Sequence, residues 1–249
     1  MEFDLSKVKF SYMDKNEGRI IPKEPSENLA EFLGILAGDG HVGHFGKGKN
    51  RIVEIAGHLN DDEEFLEYVK DLVKRLFNAK MHLYLYKNIN TRYISKNSWA
   101  MVSFLESLGF EKKKCLLKIP SWVWQNNKFT SAFIRGLFDT DGSIALKKNH
   151  GKYEFYPVIS ISLKDCNLIK SVASWIRSKG ISVYTGKESP FDKRTSKRYF
   201  KYSLQINGYK GVRAWMVLIG TSNPKHKEKW ERGDLNSRLR DLQSRALPG

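Results

Sequence analysis

The 249-residue chain is 41% hydrophobic and 12% aromatic, which is enough to bury one large core or two small ones. Its 43 Lys and Arg residues against 27 Asp and Glu give a net charge of +16, which favours a polyanionic partner, with nucleic acid as the first candidate and a membrane surface or a ribosome as alternatives. Two isolated cysteines argue against a zinc or disulfide framework, and the lack of an apolar signal core or of an apolar run of about 18 residues argues against a membrane span. We therefore expect a soluble intracellular protein of the cytoplasm or nucleoid, with an organelle as the alternative.

A first set of predicted elements begins after residue 25. Ser26 is the candidate N-cap of a helix whose apolar residues, from Leu29 to Leu36, recur at helical spacing and which ends in FLGILAGDG. After a Lys-rich turn come a strand-like IVEIAGH, a helix with apolar positions over 66–76, the strands KMHLYLYK and TRYIS, and the apolar WAMVSFLESLG. The pattern predicts helix, two strands, helix, two strands, helix.

The same order recurs 102 residues later in the chain. IRGLFDTDG repeats FLGILAGDG, with Asp141 matching Asp39, and Thr130 or Ser131 is the candidate N-cap. VISISLK, an apolar helix, ISVYT, RYFKYSLQI and WMVLIG then correspond to the later elements of the first copy. Unrelated αβ units can share such a period in their strands, but two matched helices that end in Asp-Gly favour an internal duplication.

We therefore predict an α+β fold of two pseudo-symmetric αββαββα halves with mixed or antiparallel sheets. The predicted boundaries are an N-terminal arm or extra strand at 1–25, a first half at 26–109, a connecting segment at 110–128, a second half at 129–221 and a polar tail at 222–249. Pro120 is expected to break any helix that continues through the connecting segment, and the tail is expected to be helical or disordered.

Small residues at matched positions predict contact between the two motif helices. Gly34 and Gly136 lie inside these helices, where glycine is about 0.5 to 1 kcal/mol less favourable than alanine. A close approach of one helix to the other would explain why both positions are glycine.

Such an approach would bring Asp39 and Asp141 together at the helix ends. Two carboxylates raise each other's pKa, and the negative helix C-terminus adds to their repulsion, so bound cations are expected. Mg²⁺ suits oxygen ligands, and the main-chain carbonyls of Gly38 and Thr140 are expected to add to its coordination. Taken singly, an Asp-Gly pair is more simply a helix cap or a turn.

The two motifs, FLGILAGDG and IRGLFDTDG, resemble those of the LAGLIDADG homing endonucleases, and the likeness extends over residues 26–220. The resemblance implies motif helices at a central interface, sheets that form a DNA-binding saddle in the major groove, and, with two motifs in one chain, a monomer. It also implies that Asp39 and Asp141 bind metal and drive cleavage. Asp139, the other acid of the second motif, has Ala37 at its place in the first, and we interpret it as a supporting residue.

The same resemblance implies basic or polar side chains that assist the motif acids. The candidates are His58 and Lys164, at the ends of the second strands of the two halves, and Lys96, at the end of the last strand of the first half. An alternative for His58 is a surface position at the start of the following helix.

Alternation of polar and apolar residues along the strands indicates which side chains face DNA. Leu83 and Leu85 are expected against the helices, with His82 and Tyr84 on the other side. The predicted sheet contacts are Arg51, His82, Tyr84, Arg92, Lys152, Lys201, Ser203 and Gln205. The predicted loop contacts, mainly to phosphates, are Lys47, Lys49, Lys147, Lys148, Arg194, Lys197 and Arg198.

These expectations define a Mg²⁺-dependent endonuclease that cuts both strands of a long double-stranded DNA target. Because the chain begins with Met1 and ends in Leu-Pro-Gly without a terminal His-Asn pair, we expect a free-standing, intron-encoded enzyme rather than a splicing intein. The alternatives are a non-cleaving intron maturase, with host intron RNA as its partner, a DNA-binding regulator, and a ribosome-associated basic protein.

Overall fold

The αββαββα order predicted from the sequence is present twice in the computed structural model, which describes residues 1–45, 50–85, 90–110, 117–148, 155–192 and 196–233. The first repeat follows a short helix α1 (Tyr12–Asn16). It comprises α2 (Glu27–Gly38), β1 (Gly40–Phe45), β2 (Asn50–His58), α3 (Glu63–Phe77), β3 (His82–Leu85), β4 (Thr91–Asn97) and α4 (Trp99–Ser107).

The second repeat follows another short helix, α5 (Ser121–Gln125). It comprises α6 (Asn127–Asp141), β5 (Gly142–Lys148), β6 (Phe155–Leu163), α7 (Cys166–Ser178), β7 (Tyr184–Glu188), a small hairpin of β8 (Phe191–Asp192) and β9 (Lys197–Arg198), β10 (Lys201–Asn207) and α8 (Gly208–Leu218). A final helix, α9, covers 224–233 in the predicted polar tail.

Each repeat contains one four-stranded antiparallel sheet, and the predicted α+β fold is confirmed. The strand order is β1-β2-β4-β3 in the first sheet and β5-β6-β10-β7 in the second. Equivalent strands therefore occupy equivalent places, and the chain enters each sheet directly from its motif helix. By compactness the chain divides into Met1–Thr140 and Asp141–Gly249, so that α6 packs with the first unit up to its last residue.

One face of each sheet packs against helices. In the first sheet Val53, Ile55 and Ile94 are fully buried, and α2, α3 and α4 contact the strands. In the second sheet Ile159 and Ile161 are fully buried, and α7 and α8 contact β6 and β10. Burial of these aliphatic side chains fixes the register, because a shift by one residue would turn them to the opposite face.

The second motif helix begins earlier than predicted. Thr130 and Ser131 are not its N-cap, because α6 already starts at Asn127. The side chain of Asn126 accepts a hydrogen bond from the Lys128 N–H at 2.8 Å, while the Thr130 hydroxyl donates to the Val123 carbonyl at 2.6 Å. Thr130 thus lies inside α6 and links it to α5. In the sequence, a threonine in this role looks the same as a threonine that caps the start of a helix.

The N-terminal segment is a docked arm and contains no strand among residues 1–25. The side chain of Ser11 caps α1, and the buried Asp14 carboxylate reaches α4. Asp14 accepts hydrogen bonds from the Ser98 hydroxyl at 2.6 Å and from the N–H groups of Trp99 and Ala100 at 3.1 and 3.2 Å. Burial by itself raises the pKa of Asp14, but these hydrogen bonds and those from Ser11 outweigh it, and the pKa lies below its usual value.

In the part of the chain that the structure describes, no helix is long and apolar enough to cross a membrane.

Candidate catalytic site and nucleic-acid interface

The two motif helices meet main chain to main chain at their matched glycines. A methyl group on Gly34 would collide with the Phe133 carbonyl of α6, and one on Gly136 would collide with the Glu31 carbonyl of α2. The two contacts are related by the same offset of 102 residues, since Phe133 corresponds to Glu31. The glycines are therefore required by close approach of the two backbones, as the sequence predicts.

Asp39 lies at the end of α2, where the chain turns directly into β1. It is the C-cap residue, its side chain is exposed, and its carbonyl accepts a hydrogen bond from the Ala56 N–H of β2 at 3.1 Å. The following Gly40 is buried, and a Cβ there would lie 2.8 Å from the Leu36 carbonyl oxygen. The Asp-Gly pair is thus a tight helix-to-strand turn that leaves the carboxylate exposed.

Asp141 is the last residue of α6 and is half-buried, and Gly142 begins β5. The hydroxyl of the preceding Thr140 donates to the Leu137 carbonyl at 3.0 Å, so the Thr140 side chain is used within the helix. Both motif acids therefore stand five residues beyond the crossing glycines.

An ion pair crosses between the motif helices without a symmetry-related copy. Glu31 of α2 is 2% exposed and binds Arg135 of α6 at 2.6 Å and the Tyr68 hydroxyl at 2.8 Å. Burial lowers the pKa of Arg135, but Glu31, Tyr68 and Asp139 together outweigh it, so the pKa of Arg135 lies above its usual value. Asp139 itself is 1% exposed.

Of the three assisting residues predicted beside the motif acids, His58 forms local contacts at the start of α3. Its ring Nδ1 lies 3.3 Å from the Asp61 carboxylate, and its main-chain N–H donates to the Asp62 carboxylate at 2.8 Å. This geometry favours the alternative reading of His58 as a residue of the strand-to-helix turn. Lys164 follows β6, and its ammonium lies 5.3 Å from the centre of the Tyr199 ring.

Arg51 and Arg92, which were predicted on the DNA-contacting face, lie on the helix side of the first sheet, and so does Lys96, the third predicted assistant of the motif acids. Arg51 pairs with Glu106 of α4 at 3.0 Å and lies over the Trp99 ring, and Arg92 pairs with Glu63 of α3 at 3.1 Å. Lys96 is 9% exposed and binds Glu17 of the N-terminal arm at 2.7 Å. This hydrogen bond from Lys96 is the main cause that keeps the pKa of Glu17 below its usual value.

The register explains this difference. Arg92 and Lys96 share a face of β4 with the buried Ile94, and Arg51 shares a face of β2 with Val53. Positive charge alone therefore did not identify the outer face. Alternation within each strand does indicate the face, because residues two positions apart share a side of the sheet and each of these basic residues lies two positions from a buried aliphatic one.

The open face of the first sheet carries histidine, tyrosine and carboxylate side chains. His82 and Tyr84 lie opposite Ser95 and Tyr93, so they occupy the predicted face. Leu83 and Leu85 lie on the helix side but are 43% and 61% exposed. The polar residues of the open face that sequence reasoning missed include His41, Glu54, Tyr93, Ser95 and Asn97.

The open face of the second sheet is richer in hydroxyl and amide groups. Lys201, Ser203 and Gln205 alternate with the fully buried Leu204 and Ile206, as predicted. The polar residues of this face that were missed include Ser143, Tyr156, Ser160, Ser162, Tyr184 and Glu188.

The predicted basic loop contacts divide into several groups. Lys147 lies on the open face opposite Tyr156, whereas Lys148 points to the other side of β5. Arg198 donates to the Ser189 carbonyl at 2.9 Å within the small hairpin, and Lys197 belongs to β9. Lys47, Lys49, Lys152 and Arg194 lie outside the described residues.

Within the described ranges, no three His, Cys, Asp or Glu side chains come together as a metal-binding group. A divalent ion at the ends of the motif helices would therefore have fewer than three such side chains as ligands. Main-chain oxygen atoms and groups of the bound substrate would complete its coordination. Carboxylate and carbonyl oxygens are the donors that Mg²⁺ prefers, so the residues present fit such an ion.

The two αββαββα repeats and the glycine-mediated helix contact define the LAGLIDADG type of fold, and comparison with known proteins agrees. Residues 128–219 match the model of the LAGLIDADG-like domain. The structure of I-DmoI in complex with DNA and Mn is 16% identical, with a TM-score of 0.51 over 79% of this chain and 97% of that one. The meganuclease I-AabMI bound to uncleaved DNA is 12% identical, with a TM-score of 0.51 over 85% of this chain and 92% of that one. The resemblance to the LAGLIDADG homing endonucleases is thus confirmed.

Curated relatives share parts of the chain but differ among themselves. An uncharacterized protein of Methanocaldococcus jannaschii is 27% identical over 195 residues, which are 76% of this chain and 68% of that protein. A replication factor C small subunit of the same organism is 35% identical over 121 residues, or 48% of this chain and 6% of that protein. A tRNA-splicing ligase of Pyrococcus furiosus is 28% identical over 81% of this chain and 22% of the ligase. The shared segment is a small part of these two proteins, so their activities do not carry over.

Proposed function

We propose that this protein is a site-specific homing endonuclease that hydrolyses both strands of a long double-stranded DNA target in a Mg²⁺-dependent reaction. The observation that carries the proposal is the pair of motif helices, joined at Gly34 and Gly136 and each ending in an Asp-Gly turn five residues later. The fold is that of proteins whose structures contain DNA, such as I-DmoI, for which complexes with Mn and with Mg are known.

Asp39 and Asp141 would hold the divalent ion, with the carbonyls of Gly38 and Thr140 as further oxygen ligands. When bound, such an ion activates water and stabilises the leaving oxygen of a phosphodiester. The protein itself positions the two carboxylates. Each acid lies about 7.5 Å of helical rise from the glycine contact, and this short distance limits how far either carboxylate can move. The negative ends of α2 and α6 favour a cation there.

The two open sheet faces would bind the DNA. The net charge of +16 predicts that affinity falls steeply with salt, because each phosphate contact releases counterions. The residues we propose for base contacts are His82, Tyr84, Lys201, Ser203 and Gln205, and Lys147 and Arg198 are proposed for phosphates. His58 and Lys164 remain proposed assistants of the motif acids, while Lys96 would first have to leave Glu17.

We also propose that the protein acts as a monomer, since one chain carries both motifs, and that it acts in the compartment that holds the host DNA. An intron-encoded origin is the proposed genetic context. A maturase that binds host intron RNA is the competing function, and the cleavage test below distinguishes the two.

The test is cleavage of the intronless insertion site with Mg²⁺ by the wild type, Asp39→Asn and Asp141→Asn. Each variant should lose cleavage by about 100-fold or more, the order expected when one group that stabilises a transition state is removed. Asp71→Asn, which removes an exposed carboxylate of α3, is the matched control and should cut at the wild-type rate. Wild-type cleavage by both aspartate variants would contradict the proposal, and tight binding of intron RNA with no DNA cleavage would favour the maturase.

A further inference from the structure

Glu54 occupies an unexpected place for an acid in a strongly basic protein. It lies in β2 between the fully buried Val53 and Ile55, so its side chain points to the open face of the first sheet. On that face it stands in a row across all four strands, with His41 opposite on β1, Ser95 opposite on β4 and His82 beyond it on β3. Side chains directly opposite each other in such a row are about 5 Å apart.

Other acids of the first unit have identifiable structural roles on the helix side. Glu31 binds Arg135, Glu63 binds Arg92, and Glu106 binds Arg51. Glu54 is half-buried, and among the described residues its carboxylate forms no hydrogen bond or ion pair. No contact among the described residues therefore supports a role of Glu54 in the stability of the fold, whereas each of the other three acids has a basic partner.

The chemistry of the open face restricts what a carboxylate can recognise. An ionised carboxylate only accepts hydrogen bonds and repels phosphates, so it weakens non-specific binding to DNA. It also repels the acceptor atoms of guanine and thymine in the major groove, whereas cytosine presents the N4 amino donor there and, unlike adenine with its N7, has no acceptor of its own in that groove. A carboxylate at this place thus gains a partner only from a base that presents an amino group.

We propose that Glu54 is a specificity-determining residue that selects a cytosine in the half of the target bound by the first sheet. The proposal rests on the proposed DNA-binding function but not on cleavage. Glu54 lies two residues from Ala56, whose N–H binds the Asp39 carbonyl, or about 7 Å along the strand. The selected base pair is therefore close to the cleavage centre and not at the outer end of the target.

The experiment is a binding selection with the full chain on double-stranded DNA that contains a long randomised segment. Wild type, Glu54→Gln and Glu63→Gln are compared in the same buffer, and the recovered sequences are counted. Glu63→Gln is the matched control, because it removes the same charge from the helix side of the same repeat. A thermal melt of each protein accompanies the selection.

Wild type and Glu63→Gln should share one sequence preference that includes a cytosine near its centre. In Glu54→Gln that preference should fall on the order of 10-fold at this single position, with adenine now accepted, because glutamine also donates a hydrogen bond. The melting temperature should not change. An unchanged sequence profile in Glu54→Gln, a loss of stability without a change in profile, or no sequence preference in the wild type would each overturn the proposal, whatever the outcome of the cleavage test.

Discussion

The two repeats of this chain share a scaffold but differ in the surface that the scaffold presents. Both sheets have the same strand order, and both motif helices carry the glycine that the other helix requires. Their open faces have little in common. The first presents His41, Glu54, Tyr93, His82 and Tyr84, and the second presents Ser143, Tyr156, Ser160, Gln205 and Lys201. The two cores are alike because both repeats require the same packing, whereas the polar faces are free to differ. Under the proposed function, the two different faces correspond to two different half-sites of the target.

The repeats also differ in what holds their last helix. At the start of α4 the Ser98 hydroxyl accepts from the Met101 N–H at 3.1 Å and donates to the buried Asp14 of the N-terminal arm. At the start of α8 the side chain of Asn207 makes no capping hydrogen bond. The N-terminal arm thus reinforces the capping residue of α4, whereas the side chain at the equivalent place before α8 does not cap its helix.

The largest effect is expected from alanine at the matched glycines. Gly34→Ala and Gly136→Ala should each lower the free energy of unfolding by about 3 kcal/mol, at the upper end of overpacking effects, because the added methyl meets main-chain atoms that cannot rotate away. Chemical denaturation measures this. If the repeats are equivalent at the crossing, the two losses should agree closely.

A helical glycine away from the crossing serves as the control for this substitution. In Gly233→Ala, at the end of α9, the new methyl meets the end of the Leu146 side chain, which is 40% exposed and can shift, and the higher helix propensity of alanine offsets part of the strain. The change should stay within about 1 kcal/mol. Equal losses at all three glycines would show that helix geometry, and not the crossing, determines the effect.

The matched glycines also show what the sequence can predict. Gly34, Gly136 and the Asp-Gly turns were identified because a costly residue recurred at one spacing, and a close contact is a simple physical reason for that. The order of elements followed from periodicity for the same kind of reason. Each inference depended on a local sequence pattern, and because the pattern occurs in both repeats, the second repeat supported what the first one indicated.

The outer face was predicted less well, because charge was given more weight than alternation. Arg51 and Arg92 were expected on DNA, yet each meets an acid on a helix that is far away in sequence. Partners at long range in sequence leave no local pattern. Glu54 was missed because a basic protein directs attention to its cations. The start of α6 was misplaced for a local reason, because Thr130, a residue type that often caps helices, here lies inside the helix and donates back to the Val123 and Asn126 carbonyls.

The second prediction concerns the ion pair that breaks the symmetry between the motif helices. Arg135→Met should lower the free energy of unfolding by about 3 kcal/mol, because it leaves the buried Glu31 carboxylate without its cation. Adding Glu31→Gln should restore most of the loss, since glutamine is neutral and can still accept from Tyr68. A double variant no more stable than Arg135→Met would contradict a charge effect and indicate loss of packing.

The third prediction concerns the N-terminal arm. Asp14→Asn should lower the free energy of unfolding by about 2 kcal/mol at neutral pH, because both carboxylate oxygens accept hydrogen bonds and the neutral amide has only one acceptor oxygen for Ser98, Trp99 and Ala100. Denaturation followed by tryptophan fluorescence measures it. Lys15→Ala, an exposed change on the same short helix, is the control and should have little effect.

The same variant predicts a dependence on pH. Since the pKa of Asp14 is lower in the folded chain than in the unfolded chain, its stabilisation is present above the unfolded value of about 3.9 and is lost as the pH falls through the folded value. The difference in stability between wild type and Asp14→Asn should therefore shrink below a pH of about 4. A constant difference across that range would mean that the ionised carboxylate is not the stabilising species.

The smallest effect compares the two final helices directly. Ser98→Ala should lower the free energy of unfolding by about 1 kcal/mol, because it removes the cap of α4 and one hydrogen bond to Asp14. Asn207→Ala should change it by less than about 0.5 kcal/mol, because the Asn207 side chain caps nothing. Equal losses at the two positions would mean that the N-cap residue of α8 contributes as much to stability as the N-cap residue of α4 does. The N-terminal arm would then not account for the difference between the repeats, since α4 would owe no additional stability to Asp14.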